Sequence, residues 1–381
     1  MPQWAHADAP HAGGQLDDVF RHVGDVFASS MLSNGDYGGA FAAVRDGDVI
    51  VDIRAGHTDR ARTVPWHDDT IVCIYSVGKA VMALLTAAAV SADALDYERA
   101  VAADWPEFGA AGKELITLGQ AISHQGGLSG FPEEMDPGDW LQWDLICERL
   151  ASSAPLWAPG TDSGYHPQTI GFIIGELIKR KTGKSIGAWL SDNFKNDGLD
   201  IHCGLSPEVF QRASFMAKPR HAGDLGTLTE LKRIAFLKRW SGPARVAPEK
   251  WAAAEIPASN MHANAISLAK FLQPFVNGGK WLDGRALIDQ ATLEASLRER
   301  VRGDDLVLPF NISWSAGLMR NTNGHYGPNP NAYGHAGAGG ACVVVDPENR
   351  LTAAYVTNTM SPYLVGDPRA TAVLGALYEN L

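Results

Sequence analysis

Ile71-Val72-Cys73-Ile74-Tyr75-Ser76-Val77-Gly78-Lys79-Ala80-Val81-Met82-Ala83-Leu84-Leu85 is the stretch that organises the reading of the whole chain. A short apolar run ends at a serine, and a second apolar run, of the length and composition of a buried helix, continues to Val90. If that helix begins at Ser76, the 3.6-residue period puts the Lys79 side chain one turn along on the same face as the Ser76 hydroxyl. A serine hydroxyl is a poor nucleophile until a neighbour takes its proton, and a desolvated lysine can be that neighbour. The helix start adds a free backbone N–H and a partial positive charge, both suited to an oxyanion. The four-residue pattern decides little alone. Ser267-Leu268-Ala269-Lys270 repeats it inside an amphipathic run, where an ordinary helix with an exposed lysine is the better reading. An N-cap serine beside a solvated lysine is also common.

Companions further along the chain tip the balance. Trp157-Ala158-Pro159-Gly160-Thr161 precedes Asp162-Ser163-Gly164-Tyr165-His166-Pro167-Gln168, and an amphipathic helix opens straight after with Ile170, Ile173, Ile174 and Leu177. Between the serine and this loop runs Ile116-Thr117-Leu118-Gly119-Gln120-Ala121-Ile122-Ser123-His124-Gln125-Gly126-Gly127-Leu128. In this order the segments resemble the serine β-lactamase-like, penicillin-binding-protein superfamily, and most closely its family VIII carboxylesterases and class C β-lactamases. The resemblance implies a catalytic group of Ser76, Lys79 and Tyr165. It leaves open whether Lys79 or Tyr165 is the formal base, because strongly coupled groups share their titration.

The family's third element is a triplet on the strand lining the cleft, and His335-Ala336-Gly337 fits it, within Gly334-His335-Ala336-Gly337-Ala338-Gly339-Gly340. The resemblance then implies an oxyanion hole from the backbone N–H groups of Ser76 and Ala338, with His335 and Gly337 beside the substrate. Two departures bear on the substrate. Pro167 stands where class C enzymes carry an asparagine amide, and His335 stands where they carry a lysine for the β-lactam carboxylate. Both changes favour an uncharged carboxylic ester, so the expected activity is that of a carboxylesterase working through an acyl-enzyme on Ser76. A β-lactamase or D-Ala-D-Ala carboxypeptidase, an acyltransferase and a non-enzymatic acyl-binding sensor stay open as alternatives.

Further residues have two readings each. His124, Trp157 and Pro167 are candidate substrate contacts, as is His166, although a histidine satisfied within a loop is the commoner case. Trp140 and Trp143, with Trp157, either wall an apolar pocket or pack in the core. Asp304 and Asp305 look like part of a solvated loop. Lys181-Thr182-Gly183 and Ser191-Asp192-Asn193 spell two motifs of class A β-lactamases, but in the wrong order and almost touching. Gly183 reads instead as a helix C-cap.

Composition sets the outer bounds. With 45% hydrophobic and 20% charged residues in 381, the chain is an ordinary globular one with room for a large core. A formal charge of -11 and the lack of any long basic run argue against nucleic acid or an anionic membrane as partner. The expected partner is a small-molecule ester; oligomeric state is open. The N-terminal residues lack the pattern of a secretory signal, and the apolar run 80–90 is too short for a bilayer. Cys73, Cys147, Cys203 and Cys342 form no CxxC pair, so they read as reduced core thiols in a cytoplasmic protein, with no metal and no cofactor expected.

Element types place these residues in an α/β (α+β) fold. Residues 16–32 have helical spacing, ending at Asn34-Gly35. Residues 39–44 and 49–55 are strand-like, and the Asp46-Gly47 between them signals a hairpin. From 76 to 261 the pattern is mainly helical, notably at 76–90, 168–181 and 186–194. Strands return at 312–319, 334–345 and 351–357 before a closing helix at 368–379. The expectation is a central antiparallel sheet domain from 1–75 and 262–381, flanked by helices, with a mostly helical domain, 76–261, inserted and the site at their junction.

Overall fold

A computed structural model describes residues 1–194 and 197–381. Among the described residues thirteen strands run in chain order: β1 Gln3–Trp4, β2 Gly13–Leu16, β3 Gly38–Arg45, β4 Asp48–Gly56, β5 Val72–Cys73, β6 Ile201–His202 and β7 His262–Ala263, then β8 Val301–Asp304, β9 Asn311–Trp314, β10 Met319–Arg320, β11 Tyr333–Ala336, β12 Cys342–Asp346 and β13 Leu351–Thr357. Ten of them form one antiparallel sheet in the order β1-β2-β4-β3-β13-β12-β11-β10-β9-β8. Both ends of the chain therefore build it, and β13 from the C-terminal part pairs with β3 from the N-terminal part. A small second sheet, β5-β7-β6, leads into Ser76.

The β3–β4 hairpin turns where the Asp-Gly pair predicts, with Asp46 at φ 55° and Gly47 at φ 87°. Two successive positive φ values match the twist of the flanking strands. Along β3 the side chains alternate: Ala40, Ala42 and Val44 join one buried cluster, while Phe41 and Ala43 join the other. Helices therefore cover both faces. On one side the terminal helices Arg21–Asn34 and Pro368–Tyr378 pack with Val23, Phe27, Val373, Leu374 and Leu377 inward. On the other lie Gly78–Ser91 and Ala265–Phe271. Helix Gly78–Ser91 is buried on every side from Gly78 to Ala89, which explains why it is apolar all round.

Several boundaries differ from the sequence expectation. Leu16 belongs to β2, opposite Val51, so the first α-helix starts only at Arg21 after a 3₁₀ turn. The 334–345 run is two strands, because the chain reverses at 337–341. The 312–319 run breaks between Trp314 and Met319. The second Ser-x-x-Lys is ordinary helix, with the Ser267 hydroxyl accepting the Asp200 N–H. Lys181 and Asp192 make ion pairs with Asp104 and Lys184. All four cysteines are buried and unpaired. Among the described residues, no helix is long and apolar enough to cross a membrane.

Candidate active site

Ser76 lies in a 3₁₀ turn, Tyr75–Val77, and the α-helix begins at Gly78, two residues later than the pattern predicts. The residue before it, Tyr75, has φ 46°. A non-glycine residue in the left-handed region costs about 1–2 kcal/mol, so its surroundings must hold it there. They do so from below and from the side: the Val77 N–H donates to the Ile74 carbonyl at 3.1 Å, and Gly337 presses on the same carbonyl. A Cβ at 337 would meet that oxygen at 2.4 Å. Glycine is what allows the end of β11 to lie against the serine turn.

Lys79 is 3% exposed and spends its amine on three partners. Nζ lies 3.0 Å from Ser76 Oγ, 2.9 Å from the Pro167 carbonyl and 2.9 Å from the Ala258 carbonyl. Carbonyl oxygens only accept, so they fix two N–H bonds. The third position faces Ser76 and is the one that differs between amine and ammonium. Burial, with no acid to oppose it, holds the Lys79 pKa well below its ordinary value. The arrangement can therefore move a proton from Ser76 Oγ to Lys79. Pro167 takes part through its backbone, which no side-chain reading of the Tyr-x-Asn position would predict.

Tyr165 reaches the same place. The Lys79 amine lies 4.7 Å from the centre of its ring. Burial raises the phenol's pKa strongly, and the adjacent Ser76 hydroxyl offsets part of that rise. The ring is held between aromatic neighbours: Trp314 stacks at 6.0 Å, Phe236 at 6.4 Å, and the His124 edge is at 4.9 Å.

The histidines around Tyr165 are all uncharged. His166 Nε2 accepts the Leu128 N–H, so its proton is on Nδ1, facing the Gly164 carbonyl. His124 Nδ1 accepts the His166 N–H, which assigns its proton to Nε2. In His335 the Nδ1–H donates to the Ala336 carbonyl, leaving Nε2 a buried acceptor without a partner among the described residues. Burial lowers His335 and His166 to about 3 and His124 well below its ordinary value.

These imidazoles give a stability prediction. Burial also lowers His262, to about 4. The unfolded chain, with imidazoles near 6.5, binds four protons that the folded chain refuses as pH falls. Asp36, raised to about 6, and Asp52 and Asp305, also raised by burial, act in the opposite sense. His57 and His325, also lowered by burial, add to these four, so the imidazoles outweigh the three carboxyls, and they begin at higher pH. The denaturant midpoint should fall between pH 7.5 and pH 5, and a level midpoint would reject this account.

The remaining expected residues divide clearly. Ala338 is exposed at the turn after β11, and its N–H has no acceptor among the described residues. His124 is 1% exposed and lies behind Tyr165. Trp157 packs on Gly164 and the His166 ring from outside the tyrosine loop. Trp140 is buried in the core and Trp143 packs against it partly exposed, with their indole N–H groups on the Trp240 carbonyl and on Glu176. Asp304 is exposed as expected, but Asp305 is not solvated: it is 6% exposed, and its Oδ1 accepts three backbone N–H groups. Asp305, Trp314 and Phe236 are the neighbours of the site that the sequence reading misses. The doublet Asp304-Asp305 looks polar and interchangeable, and only the fold separates its two members.

Comparison with known proteins bears on the family and the fold. The sequence matches the family described as Beta-lactamase over residues 16–377. It is 32% identical to the esterase/beta-lactamase LipL of Mycobacterium tuberculosis, covering 94% of this chain and 87% of that protein. Among solved structures, a penicillin-binding protein homologue from Caulobacter crescentus shares 42% identity and superposes with a TM-score of 0.94, covering 97% of this chain and all of the other. A family VIII carboxylesterase shares 32% identity at a TM-score of 0.90, with the same coverage. With the match spanning nearly all of the sheet and everything between its two halves, the chain belongs to the beta-lactamase family of serine hydrolases.

Proposed function

We propose that the protein is a carboxylesterase that acts through an acyl-enzyme on Ser76. The observation that carries this reading is the Lys79 amine, fixed by two carbonyls with its third position on Ser76 Oγ. Ser76 Oγ attacks the ester carbonyl carbon as its proton passes to Lys79, forming the new C–O bond. The oxyanion is received by the N–H groups of Ser76 and Ala338. Collapse breaks the bond to the alcohol oxygen, which takes the proton back through Tyr165 and leaves as alcohol. Water then attacks the acyl carbon, gives its proton to the same pair, and releases the acid with Ser76 restored.

The uncharged His335 supports an ester over a carboxylate-bearing lactam, since a buried neutral imidazole offers no counter-charge. The similar proteins described as an esterase/beta-lactamase and a family VIII carboxylesterase support the same reading. The first of these descriptions also favours β-lactam hydrolysis as a second activity. A panel of p-nitrophenyl esters from acetate to laurate, run beside nitrocefin, tests both. Nitrocefin turnover above that of every ester would reverse the assignment.

Phe236 supplies a prediction about chain length. It sits on a π-helical turn, Arg233–Leu237, half-buried against Tyr165 and half open. Phe236→Ala should enlarge the acyl site and raise the octanoate-to-acetate ratio of kcat/KM by about tenfold, the scale of a few methylenes in an apolar pocket. An unchanged ratio would place Phe236 outside that pocket.

A further inference from the structure

The tyrosine loop and the 305–308 loop are far apart in sequence but joined by two hydrogen bonds. The Leu306 N–H donates to the Ser163 carbonyl at 2.9 Å, and the Tyr165 N–H donates to Asp305 Oδ1, also at 2.9 Å. The same Oδ1 receives the N–H groups of Val307 and Leu308 at 3.0 and 2.9 Å. A carboxylate that closed only its own turn would need the last two. The contact with Tyr165 reaches across 140 residues to the backbone that carries the phenol. Oδ2 makes no such bond: it and the Ser163 hydroxyl are both buried without a hydrogen-bond partner among the described residues.

We infer that Asp305 is a positioning residue for Tyr165: it fixes the backbone of the tyrosine loop so that the phenol stays at Ser76 and Lys79. This rests on the esterase reading for its kinetic consequence, though not for its structural one. All three N–H donors converge on a single oxygen, and an amide oxygen can take its place. Asparagine can then keep the clamp through its Oδ1, with its NH2 standing where Oδ2 has no partner. Alanine leaves the three donors unpaired and the loop free to shift.

Asp305→Ala and Asp305→Asn are compared with wild type for kcat and KM on p-nitrophenyl butyrate and for amide hydrogen exchange in the peptide spanning 163–166. A displacement of about 1 Å in a proton-transfer group costs about a hundredfold, so Asp305→Ala should lose kcat on that scale. Its KM should stay within about threefold, because the phenol acts in the transition state and not in ground-state binding. The Tyr165 amide should exchange at least about tenfold faster, as expected when a local opening loses its hydrogen bond. Asp305→Asn should restore both readouts to near wild type. Unchanged exchange at Tyr165 in Asp305→Ala overturns the inference whatever the substrate. Wild-type kcat in the alanine variant, or an asparagine variant as impaired as alanine, overturns it as well. If wild type hydrolyses no ester, the esterase reading falls and the exchange data alone decide the clamp. Should the alanine variant not fold, Asp305→Asn decides: loss of kcat or faster exchange there refutes the interchange of oxygens on which the argument stands.

Discussion

Ser76→Ala is expected to lose at least about ten-thousandfold in kcat/KM on p-nitrophenyl butyrate, the scale on which removal of a covalent nucleophile leaves only the oxyanion hole and binding. The reason is local. Ser76 Oγ is the side-chain oxygen hydrogen-bonded to Lys79, and the other two partners of that amine are carbonyls that have no proton to give. The half-exposed side chain carries little of the core, so the variant should unfold at nearly the wild-type denaturant concentration. Wild type treated with a p-nitrophenyl alkylphosphonate should gain one adduct, located by peptide mass on the segment that holds Ser76, and Ser76→Ala should gain none. A variant with one hundredth of wild-type activity or more, or an adduct on another residue, would remove Ser76 from the chemistry.

The parts of this site that act through short-range sequence geometry are legible before folding. Ser76 and Lys79 are three residues apart at a helix start, and the period of the helix does the rest. Asp46-Gly47 makes its hairpin because only certain residues tolerate two positive φ values in succession, and Gly183 caps its helix for a similar reason. Tyr165 is different. Nothing in the spacing from Ser76 places a phenol there, and its reading depended wholly on resemblance to a family. The supporting residues could not be read by either route. Asp305 is polar in a polar stretch, and its burial comes from meeting a loop 140 positions away. Trp314 and Phe236 look like any aromatic until the fold stacks them on Tyr165. The structure also changes how Pro167 is understood: its missing side-chain amide points to substrate selectivity, whereas its carbonyl supports the amine.

Lys79 and Tyr165 should separate experimentally, and the pKa shifts say how. Burial lowers the amine and raises the phenol, so both shifts favour the pair of a neutral lysine and an intact phenol over a lysinium and a phenolate. The sign for activity follows: kcat/KM should rise with pH through one deprotonation that lies well below the ordinary lysine range, with no alkaline fall from the phenol in the working range. Around these two groups His124, His166 and His335 are held neutral, and Asp305 adds a small upward push on the phenol. Lys79→Arg puts a fixed cation there that cannot give up its proton, so it should be as inactive as Lys79→Ala, each down by about a thousandfold. Substantial activity in Lys79→Arg, or a pH profile without that rising limb, would mean the lysine serves only as a fixed charge. Tyr165→Phe should depend on the leaving group. p-Nitrophenoxide departs without help, whereas an alkoxide must be protonated, so the loss should be greater for ethyl butyrate than for p-nitrophenyl butyrate, by about tenfold or more. Equal losses on the two esters would take the proton-return role from Tyr165 and assign it to Lys79, whose amine already holds the proton that Ser76 gave up.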